Sequence, residues 1–170
     1  MTSGFGDFNP ASRAKGFGIV DSTPRNGATR EPFQVDTSII RDRDMATAGV
    51  CGKTLAGGPN DVTAGMKAAE ASGNVAQVRA STGVVTMTIH QVNADGKGPY
   101  TCMYSGDGTT FESMTVITDV PSEGRATATD FPLIAKLPSG VQPGAGMVRC
   151  RNNARAGPFG GCMAVVVMAA

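Results

Sequence analysis

Between Val85 and His90 the chain alternates strictly: Val85, Met87 and Ile89 are apolar, and Thr86, Thr88 and His90 between them are polar. A period of two places these sets on opposite faces of an extended strand, one toward a core and one away from it. Asn93, Asp95, Gly96 and Gly98 then mark a turn, and residues 100–104 read as the returning strand. Residues 105–108 (SGDG) form a second turn before another strand over residues 114–120. Phe131, Leu133, Ala135 and Leu137 repeat the alternation, with Pro132 and Pro138 arguing for an edge position. The run of three valines near the end reads as a strand buried on both faces.

The rest of the chain fits many short strands joined by turns. It has 23 Gly, 10 Pro and only 17% charged residues, while 41% hydrophobic content over 170 residues suffices for one core. One helix is expected over residues 61–72: Asn60 or Asp61 caps it, Val62, Met66 and Ala69 share a face, and Gly73 ends it. The expected fold is mainly β, an antiparallel immunoglobulin-like β-sandwich with many loops and one short helix. Residues 1–30, rich in Gly, Pro, Ser and Arg without a sustained period, read as an irregular arm, and residues 31–170 as the single sandwich domain.

Cys51, Cys102, Cys150 and Cys162 form an even set without a CxxC pair, and His90 is the single histidine. A four-ligand zinc site therefore fits poorly, and two disulfides in an oxidising compartment fit well. Pairing of Cys150 with Cys162 would close a short loop, but spacing alone leaves the connectivity open. A net charge of +1 gives no basic excess for phosphate, so no nucleic-acid partner is expected. No membrane partner is expected either, since the longest apolar run, residues 163–170, is too short to span a bilayer. The opening MTSGFGDFNPASRAKG lacks an apolar stretch of the kind an export signal carries.

TPRNG from Thr23, PFQVDTSIIRD from Pro32, CGKTL from Cys51, TIHQVNADGKGPYTC from Thr88 and RNNARAGPFGGC from Arg151 resemble the Egh-like fungal virulence-factor family. The resemblance covers most of the chain beyond the first ~15 residues. It implies a secreted, extracellular fungal protein associated with appressoria and acting in host penetration. The resemblance implies little chemistry; the leading reading is a non-enzymatic factor that contacts cell-wall polysaccharide or a host surface component. Members of the family usually carry a signal peptide, and the mature form of some begins with histidine, whereas this chain begins Met1-Thr2-Ser3.

Among candidate site residues, Arg149, Arg151 and Arg155 surround the 150–162 cysteine segment and suit an anionic polysaccharide or a protein surface. Tyr100 offers an aromatic face for a sugar ring. No cofactor is expected from the leading reading. The alternative is a copper-dependent oxidase of the lytic polysaccharide monooxygenase type. There, His90 resembles the second histidine of a brace, the N-terminal histidine is missing from this chain, and Phe159 would take the axial side. The bland reading of His90 is a hydrogen bond to a neighbouring loop. No GxSxG or HExxH motif is present, so no catalytic residue is assigned. Asp95, Asp107, Glu112, Asp119 and Asp130 are candidate carboxylates, although Asp95 and Asp107 sit where turns use Asp.

Overall fold

The structure is a computed structural model and describes residues 1–169. Thirteen strands run through the described residues. They are β1 (Ser3–Gly6), β2 (Arg13–Lys15), β3 (Ser38–Ile39), β4 (Lys53–Thr54), β5 (Gly58–Pro59), β6 (Ala76–Arg79) and β7 (Val84–Gln91). There follow β8 (Thr101–Ser105), β9 (Glu112–Ser113), β10 (Thr115–Thr118), β11 (Thr129–Lys136), β12 (Gly144–Arg151) and β13 (Phe159–Met168). The α-helices among the described residues are two single turns, α1 (Arg30–Phe33) and α2 (Met45–Ala48), and the longer α3 (Val62–Ser72), with short 3-10 turns at Asp42–Asp44 and Ala94–Gly96. No helix among the described residues is long and apolar enough to cross a membrane.

The strands form two sheets, mainly antiparallel, with sandwich-like packing. One runs β10-β11-β7-β1-β2. The other runs β5-β4-β3-β13-β12-β8-β9, with β6 added parallel to β13. The alternation in β7 does what its period dictates: Val85, Met87 and Ile89 are buried between the sheets with Leu133 and Ala135 of β11 and Val148, Met163 and Val165 of the second sheet. The second sheet is covered on its other face too. There Met147, Cys162 and Ala164 pack with Phe17 and with Val62, Met66 and Ala69 of α3. This double covering explains why residues 159–165 are buried without a break.

The expected helix is present over Val62–Ser72. Asp61 caps it by accepting a hydrogen bond from the Ala64 N–H, and Gly73 ends it at φ 70° in the left-handed region. Pro132 lies in a strand that is not at the sheet edge, since β10 and β7 flank β11. However, β10 reaches only as far as Ile134, so Pro132 occupies a stretch of β11 with no partner on that side. Within the first thirty residues, β1 is an inner strand of the first sheet and β2 its edge, while the remainder is turn and coil.

The disulfides are Cys51–Cys162 and Cys102–Cys150. Pairing of Cys150 with Cys162 is excluded by the β12–β13 register. Cys150 stands opposite Gly161 and Arg149 opposite Cys162, so the two sulfurs emerge on opposite faces of the second sheet. Cys150 meets Cys102 inside the sandwich, directly across β8, and Cys162 meets Cys51 on the α3 side.

Candidate functional site

His90 ends the polar face of β7, and the antiparallel register with β11 sets Asp130 directly opposite. The His90 Nδ1 lies 2.6 Å from an Asp130 carboxylate oxygen. A carboxylate only accepts, so Nδ1 carries the shared proton, and in the neutral ring Nε2 is left with its lone pair. The imidazole is 5% exposed while Asp130 is 66% exposed. Nε2 is buried and has no hydrogen-bond partner. An unpaired buried acceptor costs free energy, so its persistence asks for an explanation.

His90 lines a small, partly open pocket of about 30 Å³, together with Met1, Thr2, Ile19, Arg25, Gln34, Thr37, Asn93, Tyr100 and Phe159 among others. At the end of the β1–β7 pairing Ser3 stands opposite Thr88, and the Thr2 N–H donates to the Thr88 carbonyl at 2.9 Å. The Met1 amine is buried and donates to the Gly160 carbonyl at 3.3 Å. Burial, and secondarily the Arg25 charge, lower its pKa to about 5.

The outer wall is built by residues 19–37. Arg25 makes a two-pronged pair with Asp36, Nη1 to Oδ1 at 2.9 Å and Nη2 to Oδ2 at 2.5 Å. The Asp36 side chain is wholly buried and also accepts from the Val20 N–H. Burial pushes the Asp36 carboxyl up, but the Arg25 and Val20 hydrogen bonds together outweigh it and hold the group below the usual range. The Tyr100 hydroxyl donates to the Gly96 carbonyl at 2.9 Å, and burial, helped by the Asp119 charge, raises its pKa.

A second, open cleft of about 370 Å³ is lined by Asp42, Pro99, Thr101, Met103, Arg149, Arg151, Asn152 and Pro158. Tyr100 and Phe159 line the first pocket while their neighbours Pro99 and Pro158 line this cleft, so the two sites stand back to back. Arg149 is buried; it donates to the Val50 carbonyl at 3.2 Å and lies 4.1 Å from the Phe111 ring centre. Burial, then the Arg151 charge, lower its pKa. Arg151 donates to the Ile40 carbonyl and to Asp42 at 2.7 Å. Arg149 and Arg151 thus come together, Arg155 sits exposed on the β12–β13 turn, and Tyr100 belongs to the other site.

Two further candidate carboxylates, Asp107 and Asp119, are engaged locally. Asp107 accepts from the Thr109 and Thr110 N–H groups and from the Ser105 hydroxyl, closing its turn. Asp119 accepts from the Tyr100 and Val120 N–H groups. Asn152 donates to the Asp95 and Lys97 carbonyls and accepts from the Ala154 and Phe159 N–H groups, tying the 93–98 loop to the β12–β13 turn.

A full copper brace needs two imidazoles and a terminal amine, whereas His90 is the single histidine of this sequence. No cluster of three His, Cys, Asp or Glu occurs among the described residues. The complete brace therefore does not fit this chain, and no oxidase step is derived from it. Arg25, Gln34, Asp36 and Thr37 were not singled out from sequence, because only the tertiary fold brings them to His90. Their signal lay in the TPRNG and PFQVDT segments that contain them.

Fold and site together define a disulfide-bonded, mainly antiparallel β-protein with a small pocket beside His90 at the end of its central strand. Residues 1–160 match the Egh16-like family, described as Egh16-like virulence factor, and the chain belongs to that family. It is 42% identical over 165 residues to the appressoria-specific virulence factor GAS1 of Pyricularia oryzae, covering 88% of this chain and 64% of that protein. It is 29% identical over 229 residues to the appressoria-specific virulence factor GAS2 of the same fungus, covering 88% of this chain and 77% of that protein. The chain thus spans less than two thirds of the length of GAS1. No solved structure matches it.

Proposed function

We propose that this protein acts outside the fungal cell during host penetration and contacts an anionic wall polysaccharide or host surface component through the Arg149–Arg151 cleft. The observation behind this reading is that two guanidiniums and one carboxylate, Asp42, line one open groove, leaving net positive charge where a ligand can enter. Arg recognises carboxylate in fixed, two-pronged geometry. Two disulfides suit an oxidising extracellular setting, and the relatives named as appressoria-specific virulence factors suit the stage of infection. The test is co-sedimentation of the whole chain with polygalacturonate, chitin and cellulose. Retention on polygalacturonate that falls with salt and with Arg151→Gln, and rises with Asp42→Asn, supports the reading. Equal behaviour on all three matrices, unchanged by either substitution, overturns it.

A second reading, a copper-dependent polysaccharide oxidase, is favoured by one observation, the bare buried Nε2 of His90. It requires a second imidazole that residues 1–169 do not supply.

A further inference from the structure

We propose that the arginine cleft works by carboxylate exchange: Arg149 receives the carboxylate of one uronate residue, and Asp42 holds Arg151 until that carboxylate arrives. The proposal rests on the reading of this cleft as the contact for an anionic wall polysaccharide. It goes further in naming a single sugar residue as the unit recognised and a side chain of the protein itself as its competitor.

Three observations carry it. First, Arg149 is 7% exposed, yet among the described residues no carboxylate pairs with it. Its guanidinium donates to the Val50 carbonyl at 3.2 Å and to the Met103 sulfur at 3.4 Å, and the Phe111 ring backs it at 4.1 Å. A carbonyl, a thioether and a ring face leave a buried cation without a counter-charge, which an anion entering the cleft would supply. Burial, then the Arg151 charge, disfavour its charged form, and Asp42 opposes them.

Second, Arg151 does have a carboxylate partner in Asp42 at 2.7 Å, and Asp42 lines the same cleft with its side chain 80% exposed. So exposed a partner contributes little and is readily given up to solvent. Third, both guanidiniums are held from behind, Arg149 by the Val50 carbonyl and Arg151 by the Ile40 carbonyl at 3.0 Å. They stay in place when Asp42 leaves, so little side-chain freedom remains to be lost on binding.

The lining selects the ligand. Asp42 shows that the cleft already accepts a carboxylate. Pro99, Pro158 and Met103 supply apolar walls for the C–H face of a sugar ring, and Thr101 and Asn153 supply polar groups for its hydroxyls. A cleft of about 370 Å³ is of small-ligand size and takes a sugar unit rather than a length of polymer.

The test is titration of the whole 170-residue chain with trigalacturonate, its methyl ester and triglutamate, followed by calorimetry and by the nitrogen-15 signals of the arginine side chains. The expected result is one trigalacturonate per chain, shifted Arg149 and Arg151 signals, and binding of the ester and the peptide weaker by about 10-fold or more. Arg149→Lys keeps the charge but loses the planar fork, and is expected to lower affinity about 10-fold. Asp42→Asn alters an exposed side chain and is expected to tighten binding about 3- to 10-fold, a gain that persists in high salt, where a mere change of net charge is screened. An ester bound as tightly as the acid, or an Asp42→Asn gain that vanishes in salt, overturns the inference, and triglutamate bound as tightly as trigalacturonate overturns the assignment to a uronate. Where polygalacturonate is still retained in those cases, wall contact stands and the exchange alone fails. Absence of salt-sensitive retention by the wild type removes both.

Discussion

Asp130 and His90 face each other across β11 and β7, and their 2.6 Å contact fixes which edge of the imidazole turns inward. The contact joins an exposed carboxylate to a buried ring, so the surface strand controls the state of a nitrogen that solvent barely reaches. Asp130→Asn therefore changes more than a surface charge. The amide can donate as well as accept, and it no longer demands the proton on Nδ1. We expect the His90 tautomers to mix in this variant, with global stability changed by only about 1–2 kcal/mol, the range for losing a charge-assisted hydrogen bond.

The Arg25–Asp36 pair should be the costliest polar interaction to break on the cavity wall. Removing one partner leaves a buried charge uncompensated, so Arg25→Ala is expected to lose about 3–5 kcal/mol in urea unfolding. The pair also sets an acid dependence. Asp36 has its pKa lowered in the folded state, so its contribution is fully present above the ordinary carboxylate pKa and is lost as pH falls through the lower folded value. Wild type is expected to lose stability below about pH 4, and Asp36→Asn, already destabilised, to show a shallower acid slope.

Asn152 makes four hydrogen bonds from a nearly buried amide and anchors the loop that brings Gly96 and Tyr100 to the cavity. Asn152→Ala leaves two carbonyls and two N–H groups without partners. A loss of about 2–4 kcal/mol is expected, with faster amide exchange over residues 93–100 as the local signature.

The disulfide connectivity is testable by peptide mapping under non-reducing conditions, which should yield the 51–162 and 102–150 pairs. The separations of 111 and 48 residues make both crosslinks strong constraints on the unfolded chain. Replacing either pair by alanine is expected to cost about 2–5 kcal/mol.

Gly160 tests the close packing of the hairpin that lines the cavity. A Cβ there would lie 1.9 Å from the Cys150 carbonyl oxygen, a backbone atom with no freedom to retreat. Gly160→Ala is expected to destabilise the fold by about 1–3 kcal/mol or more, read from the urea midpoint.

Much of this architecture was legible in the sequence because it rests on local periodicity. The β7 alternation, the Asp61 cap and the Gly73 stop each depend on residues within a few positions of one another. The buried valines near the end were legible as well, although the sequence did not disclose that α3 covers their sheet. The Asp130–His90 pair and the Arg25–Asp36 wall were not legible, because strand order and register decide who faces whom, and these pairs bring together four separate segments. The cysteine pairing depended on register in the same way: adjacency along the chain suggested Cys150 with Cys162, and the pleat sends them apart.

The most direct measurement is the nitrogen-15 NMR spectrum of His90, the single histidine of the chain, in metal-free protein near neutral pH. The structure predicts a protonated Nδ1 coupled to a hydrogen bond and a bare, pyridine-like Nε2. A proton found on Nε2 with a bare Nδ1 would contradict the Asp130 contact and, with it, the role of the β7–β11 register in orienting the ring.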